Sequence, residues 1–510
     1  MDRELFEHYL ADETRRGPAP DDAFTGAAGG AACGDLARLS LTVAEGRIQA
    51  VSFDSEGCGA TRAATAAVAE TIEGASVLQA ALLSIDDVDE LLGGLTPAKR
   101  HAAQLAADAL HRGLSAAASS GVPLSPLPDS GRVLATSPAQ AGRQDPSPMP
   151  SPMPPPRVAV ALSGGVDSAV AALLARERGH DVIGITVKLW ADPETDGTKA
   201  CCSPEAVLGA RAVAHSLGIP HFTLDLEQRF RAEVVDRFVS GYAAGSTPNP
   251  CILCNGEVRL AAMIALAERA GATRLLTGHY ARIVEDDDGR LLASGADEAK
   301  DQAYMLAALP PELLDRLEFP LTELSKEEVR AIAARHGLAV AQKPESQDLC
   351  FLAGQGKRRF LRRHGGLVDI EGDVLDSGGR RLGRHRGHHN FTVGQRRGTG
   401  VSLNEPAYVI ATDAAANTVT IGTRAELLTR RVRVRDAVLH REGGRVDGVR
   451  LRYHSRALPA QLGAAAGAAP GRHEALELEL GEDFAGASPG QTAVLLDGET
   501  IVGHGTIAAS

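Results

Sequence analysis

Several features that mark membrane or exported proteins are missing from this sequence. No stretch of the 510 residues approaches the roughly 18 consecutive apolar residues that a membrane span requires, and the N-terminus, Met1-Asp2-Arg3-Glu4, has no apolar leader. Cysteine is scarce and odd in number, with seven residues. We therefore expect a protein of the reducing cytoplasm that contacts no membrane and whose thiols are available for chemistry.

An excess of positive charge is also missing, since the formal net charge at pH 7 is −12. Acidic residues are concentrated early in the chain, because residues 1–156 contain 11 Lys and Arg against 20 Asp and Glu. Later stretches at 357–364, 381–397 and 430–435 are dense in arginine. Such patches can neutralise phosphates whatever the total charge, so a nucleic-acid partner is not excluded. Solvated arginine faces are the alternative interpretation.

Composition and periodicity divide the chain into modules. Residues 119–156 are rich in Pro, Ser, Gly and Ala, which predicts an extended linker after a first domain at 1–118. Apolar strands alternate with helices over 157–352, which predicts an α/β domain with a doubly wound parallel sheet and ligands at the carboxyl ends of its strands. Short strands divided by turns then predict two small β modules, at 353–428 and, barrel-like, at 429–510.

A glycine-rich turn lies at the start of the predicted α/β domain. Ser163-Gly164-Gly165-Val166-Asp167-Ser168 follows a predicted strand and begins a predicted helix, so backbone N–H groups face a phosphate and the glycines permit close approach. The Gly-Lys-Ser/Thr of a Walker A loop is absent. The turn resembles the SGGxDS loop of the ATP pyrophosphatases, which split ATP into AMP and pyrophosphate while adenylating a substrate. Asp167 is then a candidate magnesium ligand; a ligand-free helix cap is the alternative.

Two cysteines lie far apart downstream of this turn. Cys254 ends the segment Asn249-Pro250-Cys251-Ile252-Leu253-Cys254, just before a helix predicted at 256–270, and Cys350 ends Glu345-Ser346-Gln347-Asp348-Leu349-Cys350. A phosphate loop with a separated pair of thiols suggests a reaction in which ATP activates an oxygen as a leaving group and sulfur replaces it.

Five segments resemble, in order and spacing, the tRNA-specific 2-thiouridylase family across about 157–510. They are Thr-Pro-Asn-Pro-Cys-Ile-Leu-Cys-Asn at 247–255, Thr-Gly-His-Tyr-Ala-Arg at 277–282, Lys-Asp-Gln-Ala-Tyr at 300–304, Ser-Gln-Asp-Leu-Cys-Phe at 346–351 and Thr-Val-Gly-Gln-Arg-Arg-Gly at 392–398. The resemblance implies that ATP adenylates the C2 oxygen of the wobble uridine in tRNA. A persulfide sulfur, supplied by a cysteine desulfurase or a sulfur relay protein, then attacks C2 and expels AMP.

The same resemblance assigns roles to residues. Cys350 is expected to carry the persulfide and Cys254 to be its partner nucleophile. The residues expected to contact ATP are Ala161, Leu162, Ser163, Gly164, Gly165, Val166, Asp167, Ser168, Val187 and Gly278. Those expected to contact tRNA or the target base are Asn249, Pro250, Cys251, His279, Lys300, Asp301, Gln302, Arg452, Tyr453 and Gln491.

Several positions depart from the family pattern, among them Cys251, the pair Arg259-Leu260 and Thr399. Cys251 stands where many members have an aspartate, so Cys251, Cys254 and Cys350 together offer a second interpretation of the site. Three converging thiolates could hold an iron-sulfur cluster with an open iron, or zinc, instead of performing persulfide and disulfide chemistry. Arg259 stands where lysine is common, which keeps a cation for tRNA contact.

The first domain resembles the iron-sulfur scaffold proteins of the nitrogen-fixation type, an α+β fold. The resemblance is carried by Ala31-Ala32-Cys33-Gly34-Asp35, by Gly57-Cys58-Gly59-Ala60-Thr61 and by Lys99-Arg100-His101-Ala102, the last of which normally ends in cysteine. Cys33, Asp35, Cys58 and His101 could still hold a labile metal or cluster. A degenerate domain kept for docking is the alternative. Fusion through a linker suggests sulfur or cluster supply in cis, and an iron-sulfur carrier with a nucleotide-regulated domain is the alternative function.

Overall fold

The computed structural model describes residues 2–29, 34–125, 155–190, 204–344, 349–352, 354–401, 406–465 and 467–509. Cys33, most of the predicted linker and the four residues before Leu349 lie outside the described residues.

The first lobe is an α+β unit in which an antiparallel sheet packs on alanine-rich helices. Alternating side chains such as Leu39 and Leu41 point into the core, and small side chains on two long helices let the backbones approach closely. The sheet has the order β1-β2-β3. In chain order the elements are α1 (Arg3–Ala11), β1 (Phe24–Gly29), β2 (Leu36–Ala44), β3 (Arg47–Glu56), α2 (Gly59–Ile72), α3 (Val77–Ala80), α4 (Ile85–Leu91) and α5 (Arg100–Ser120).

The second lobe is built on a five-stranded parallel sheet of order β10-β7-β4-β5-β6. Helices cover both of its faces, so its strands are apolar almost throughout, as in β5. The strands are β4 (Arg157–Ala161), β5 (Asp181–Lys188), β6 (His221–Asp225), β7 (Leu275–Thr277), a hairpin of β8 (Ala281–Asp286) and β9 (Gly289–Ser294), and β10 (Leu317–Glu318). The parallel sheet confirms the predicted α/β fold class.

The helices of this lobe connect the strands across the two faces. They are α6 (Val166–Glu177), α7 (Pro204–Ser216), α8 (Glu227–Phe230), α9 (Asp236–Ala243), α10 (Pro250–Leu253), α11 (Leu260–Arg269), α12 (Ala303–Leu306), α13 (Pro311–Leu314) and α14 (Lys326–Arg335). Two π-helical stretches, Arg231–Val235 and Cys254–Arg259, and a 3₁₀ turn at Cys350–Leu352 complete the lobe.

One helix of this lobe is longer than predicted. The helix expected over 256–270 begins at Pro250, because α10, the π-helical stretch and α11 form one continuous 20-residue helix over Pro250–Arg269. Proline at the first helical position and Asn249 as the cap explain the earlier start. By length and apolarity the helix could cross a membrane, but 56% of its most apolar window is buried in the protein, as in a core helix.

Two β modules follow, as predicted. The first contains α15 (Lys357–Gly365), β11 (Glu371–Leu375), β12 (Arg381–Arg386), β13 (Tyr408–Asp413) and β14 (Thr418–Gly422), in the sheet order β12-β11-β14-β13. The second contains β15 (Leu428–Leu439), β16 (Gly448–Arg450), β17 (Leu458–Gln461), β18 (Gly471–Ala485), β19 (Thr492–Asp497) and β20 (Thr500–Ile507). Pairing of β15 with both β18 and β20 closes this sheet into a barrel, and the β8–β9 hairpin joins it beside β20.

Candidate active site

The glycine-rich turn is held in shape by its own side chains. The Ser163 backbone N–H donates to Ser168 Oγ (3.1 Å), and this hydroxyl donates to the Gly165 carbonyl (3.1 Å). Gly164 has a φ of +69°, a conformation that favours glycine. Helix α6 then begins at Val166, so its N-terminus lies at the turn. Backbone donors and a helix N-terminus together form a site suited to a phosphate.

The end of the neighbouring strand β7 presses directly on this turn. A Cβ added at Gly278 would lie 2.8 Å from both the Asp167 carbonyl carbon and the Ser168 nitrogen. These are backbone atoms, which cannot rotate away. Gly278 is therefore needed for the close packing of the strand end against the glycine-rich turn at 163–168, the phosphate turn.

A pocket of about 190 Å³ lies at these carboxyl ends of the parallel strands. Nine residues predicted to contact ATP or the target base line it: Ala161, Leu162, Ser163, Asp167, Ser168, Val187, Gly278, His279 and Gln302. Sequence reasoning missed Thr186, Met263 and Thr277, and it assigned Arg259 to tRNA contact alone. The pocket therefore brings the two predicted groups of residues together.

Asp167, the candidate magnesium ligand, is already engaged. Both of its carboxylate oxygens accept from Lys326 Nζ at 2.7 Å, and Oδ1 also accepts from the Tyr280 hydroxyl (2.9 Å). A second lysine, Lys343, donates to the Gly164 carbonyl (2.9 Å). Asp167 in this arrangement does not fit a protein-held magnesium ion, and the two lysines place positive charge beside the phosphate turn.

His279 is half-buried, and both of its ring nitrogens are hydrogen-bonded. Nδ1 lies 2.7 Å from Thr277 Oγ1, and Nε2 lies 3.0 Å from an Arg259 guanidinium nitrogen. A guanidinium can only donate, so Nε2 accepts and the ring proton resides on Nδ1, which donates to Thr277. Burial, and next the charge of Arg259, lower the pKa of His279 to about 3. His279 is therefore a neutral acceptor that orients Arg259 in the pocket.

Acidification should weaken the fold through His279. Because its folded pKa of about 3 lies below the ordinary value of 6.5, the unfolded chain binds the proton first, and the contribution present above pH 6.5 is lost as the pH falls toward 3. His279→Gln should make the urea midpoint less dependent on pH in this window. Urea titrations of both proteins at several pH values measure this; equal slopes would contradict a His279 that stays neutral in the folded protein.

The first two cysteines lie at the start of the long helix. The Cys251 backbone N–H donates to Asn249 Oδ1 (3.1 Å), which caps the helix. Cys254 is buried and begins the π-helical stretch that ends at Arg259. The next residue, Asn255, donates to the Met305 carbonyl (3.0 Å). One rigid helix therefore carries Cys254 and the pocket residue Arg259.

Cys350 is half-buried at the start of a 3₁₀ turn. Its neighbour Phe351 packs edge-on against Phe230, Phe238 and Phe360, with ring centroids 5.0 to 5.8 Å apart. Cys254 and Cys350 belong to the same apolar cluster, and neither is in the lining of the pocket beside the glycine-rich turn. Among the described residues, the three thiols do not form a group whose ligand atoms lie within 4.8 Å of one another, so this arrangement does not fit a single zinc ion held by all three.

The β barrel contacts the segment that precedes the helix Pro250–Arg269, the thiol helix, which carries Cys251 and Cys254. Gln491 Nε2 donates to the Thr247 carbonyl (2.7 Å), and Asp301 is buried in an ion pair with Arg450 (2.5 Å). Arg450 was not predicted, and no local sequence signal marks it.

The remaining predicted tRNA contacts lie around this junction. The Tyr453 ring centroid is 6.0 Å from that of Tyr304, and burial, then Asp301 and Cys251, raise the pKa of Tyr453. Arg452 lies over the Phe484 ring (5.3 Å), and Lys300 N–H donates to the Asp297 carbonyl. Of these residues, Tyr453 on the barrel is near enough to Cys251, at the start of the helix, for the two to interact electrostatically.

Two of the arginine-rich stretches differ in what surrounds them. On β15, Arg430 pairs with Asp483 on β18 (2.7 Å), and Arg435 pairs with Asp436 (2.5 Å). In contrast, Arg396 and Arg397 are exposed on a loop whose Thr392 hydroxyl accepts from Thr247 (3.2 Å). The stretch at 430–435 is therefore largely neutralised, and the cations beside the thiol helix are better placed for phosphates.

A second candidate site lies in the first lobe. Ligand atoms of Asp35, Cys58 and His101 lie within 4.8 Å of one another. Burial raises the pKa of Asp35, but hydrogen bonds from His101, Cys58 and Thr61 outweigh it and lower the pKa to about 2. Ala102, where the scaffold pattern has cysteine, is fully buried, and His101 Nε2 instead reaches Asp35 (2.9 Å). A carboxylate, a thiol and an imidazole form a mixed donor set that fits a divalent metal.

Family models match four consecutive parts of the chain. They are the NifU-like N terminal domain (2–119), the tRNA methyl transferase HUP domain (156–354), the tRNA methyl transferase PRC-barrel domain (358–423) and the aminomethyltransferase beta-barrel domain (430–507).

Curated relatives match over nearly their full lengths. The bifunctional protein NifU/MnmA of Rubrobacter xylanophilus is 43% identical over 509 residues, covering 99% of this chain and 98% of the relative. The tRNA-specific 2-thiouridylase MnmA of Acidithiobacillus ferrooxidans is 43% identical over 353 residues, 68% of this chain and 97% of the relative. That of Syntrophotalea carbinolica is 42% identical over 355 residues, 69% and 98%. The chain belongs to the bifunctional NifU/MnmA family, in which a NifU-like domain precedes a tRNA-specific 2-thiouridylase.

Proposed function

We propose that this chain is an ATP-dependent tRNA uridine 2-sulfurtransferase in which Cys350 carries the sulfur and Cys254 is its partner. The observation that carries the proposal is the single helix that begins beside Asn249, bears Cys254 and lines the ATP pocket with Arg259 and Met263. Family membership supports the activity, since relatives matching 68% of the chain are tRNA-specific 2-thiouridylases.

In the first step the uridine C2 oxygen attacks the α-phosphorus of ATP. A bond forms between that oxygen and AMP, and pyrophosphate leaves with the electron pair. The phosphate turn binds the leaving phosphates, and Lys326 and Lys343 lie beside it to offset their charge. Magnesium enters as part of the MgATP substrate, because Asp167 is bonded to Lys326.

In the second step the terminal sulfur of a Cys350 persulfide attacks C2, and AMP leaves. The Cys254 thiolate then attacks the Cys350 sulfur, releasing 2-thiouridine and leaving a disulfide between the two cysteines. Two electrons and two protons from an external thiol reductant restore both thiols. Burial of Cys254 keeps water from competing with this exchange.

The sulfur donor is a separate protein, a cysteine desulfurase or a sulfur relay protein. Cys350 is only half-buried, which suits loading from outside. Leu349 precedes it, and the four residues before Leu349 lie outside the described part of the chain. A reducing compartment, as the cysteine content suggests, completes the cycle.

The direct test is nucleoside analysis after incubation with unmodified tRNA, ATP and a persulfide donor. We expect 2-thiouridine in the digest, with one AMP and one pyrophosphate formed per thiolated base. Omitting ATP should abolish the product. If the protein instead passes an iron-sulfur cluster to an acceptor and forms no thiolated nucleoside, the carrier function is correct and this proposal is wrong.

The first lobe supports a second proposed function, a metal or cluster site at Asp35, Cys58 and His101, with Cys33 as a further candidate ligand. When bound, the metal would serve sulfur or cluster chemistry in the same chain. His101→Ala should remove one ligand and lower the zinc bound per chain, measured by dialysis and elemental analysis. Arg3→Ala, which alters only an exposed pair with Glu7, is the control. Equal metal content in both variants would contradict the site.

A further inference from the structure

The open edge of the catalytic sheet is covered by the NifU-like lobe. Strand β6 is the edge strand of the parallel sheet. The backbone N–H and C=O groups of residues 221, 223 and 225 point away from β5. The His221 N–H donates to the Ala81 carbonyl (3.3 Å), the Thr223 carbonyl accepts from Ser115 Oγ (2.6 Å), and the Asp225 N–H donates to Ser119 Oγ (3.4 Å). All three residues therefore form a hydrogen bond to the first lobe through an outward-pointing backbone group. The lobe thus covers the edge strand, which would otherwise be exposed.

Helix α7 is bound to the same lobe by a partly buried ion pair. Arg211 on α7 lies 3.0 Å from Asp108 on α5, with about an eighth of each side chain exposed. One turn further along each helix, the His215 and His111 rings pack with centroids 5.2 Å apart, and His215 Nε2 donates to the Ala81 carbonyl (3.2 Å). Removing one partner of such a pair leaves the other charge buried and uncompensated.

The N-terminal half of α7 also contacts the phosphate turn. A Cβ added at Gly164 would lie 3.0 Å from the Ala206 carbonyl and 3.4 Å from the Ala210 nitrogen, both backbone atoms of α7. Ala210 contacts the turn, and the next residue, Arg211, pairs with Asp108. The turn and the first lobe therefore contact neighbouring residues of one rigid helix. A shift of α7 relative to the first lobe would therefore move the surface on which the phosphate turn rests.

We propose that docking of the NifU-like lobe positions α7 and thereby sets the affinity of the phosphate turn for ATP. This role rests on the ATP site proposed above and is separate from metal binding by the lobe. Asp108, Ser115 and Ser119 act as positioning residues, because they touch α7 or β6 and none of them touches the ATP pocket.

The test compares two carboxylates of the first lobe. Asp108→Asn breaks the pair that crosses to α7, whereas Asp86→Asn breaks an exposed pair with Arg100 inside the first lobe. The dissociation constant for ATP is measured by calorimetry on the full chain. We expect Asp108→Asn to bind ATP about fivefold more weakly, at the lower end of couplings between sites. Asp86→Asn should match the wild type.

A Ser115→Ala, Ser119→Ala double variant is a second way to weaken docking of the first lobe. It removes two hydrogen bonds to β6 and leaves no charge without its partner. It should also weaken ATP binding relative to Asp86→Asn. If both docking variants melt at lower temperature yet bind ATP as the control does, the lobe is only a structural cover and the proposal is wrong. If the wild-type chain itself does not bind ATP, the proposed function fails, and this inference fails with it.

Discussion

Replacing Cys350 with alanine should abolish thiolation while ATP binding remains. The residue carries the sulfur that reaches C2, and removing a covalent nucleophile lowers rates by a factor of about 10³ or more. Cys350 is outside the lining of the ATP pocket, so calorimetry with ATP should give the wild-type dissociation constant. Mass spectrometry of digested tRNA measures the 2-thiouridine that is lost.

Cys254→Ser should have a different signature from Cys350→Ala. Sulfur can still reach the variant on Cys350, but the exchange that frees the product has no thiolate partner. Multiple turnover should stop, and tRNA should remain attached to Cys350 through a disulfide that an added thiol releases. Gel electrophoresis with and without reductant shows this covalent species. Release of free thiolated tRNA by Cys254→Ser in a single turnover without reductant, as expected for the wild type, would contradict the pairing of the two thiols.

Cys251→Ser is the matched control, since Cys251 lies one turn before Cys254 on the same helix. The persulfide route does not use this thiol, and serine keeps a polar group of similar size for the expected tRNA contact, so the variant should keep most of its activity. A cluster held by three cysteines would instead lose a ligand and its function. Inactivity of Cys251→Ser, together with a lost iron-sulfur absorption band, would overturn the persulfide route.

The fold class and the phosphate turn could be predicted from the sequence because their signals are local. Apolar strands alternating with helices indicate a parallel sheet, and a glycine turn after a strand indicates an anion site. The start of the thiol helix was mispredicted at 256, since the apolar pattern is clear only from there. The capping geometry of Asn249 and Pro250 moves the start six residues earlier.

Contacts between distant parts of the chain could not be predicted in this way. Lys326 lies 159 residues from Asp167, and Arg450 lies 149 residues from Asp301. Neither lysine nor arginine stands in a local pattern that distinguishes it from a solvated residue. The β8–β9 hairpin likewise lies between strands of the second lobe in chain order, but it pairs with the barrel strand β20. Tertiary packing alone assigns these partners.

The two lobes pack against each other, whereas the predicted extended linker suggested loosely tethered domains. Within the predicted linker at 119–156, Leu124 is fully buried, and its N–H donates to the Arg269 carbonyl (3.0 Å). Composition predicted extended chain there, but the first residues after α5 pack on the catalytic lobe. Supply of sulfur or a cluster in cis must therefore start from a docked lobe.

Gly278→Ala should prevent the phosphate turn from closing on ATP. The added Cβ would lie 2.8 Å from two backbone atoms of the turn, and neither the strand end nor the helix start can rotate to relieve the contact. Overpacking of this kind typically costs about 1–3 kcal/mol, and the turn is the part that must yield. We expect ATP binding about 100-fold weaker and thiolation reduced to match, measured by calorimetry and nucleoside analysis.

Gly209→Ala is the matched control because a Cβ at this position on α7 meets no atom within 4 Å. Alanine also has the higher helix propensity, so this variant should be as stable as the wild type or slightly more stable. Wild-type ATP affinity in Gly278→Ala would mean that the turn closes by another path. A loss shared equally by both variants would mean that any glycine replacement near the sheet is harmful. Only a loss confined to Gly278→Ala assigns the effect to the contact between strand β7 and the phosphate turn.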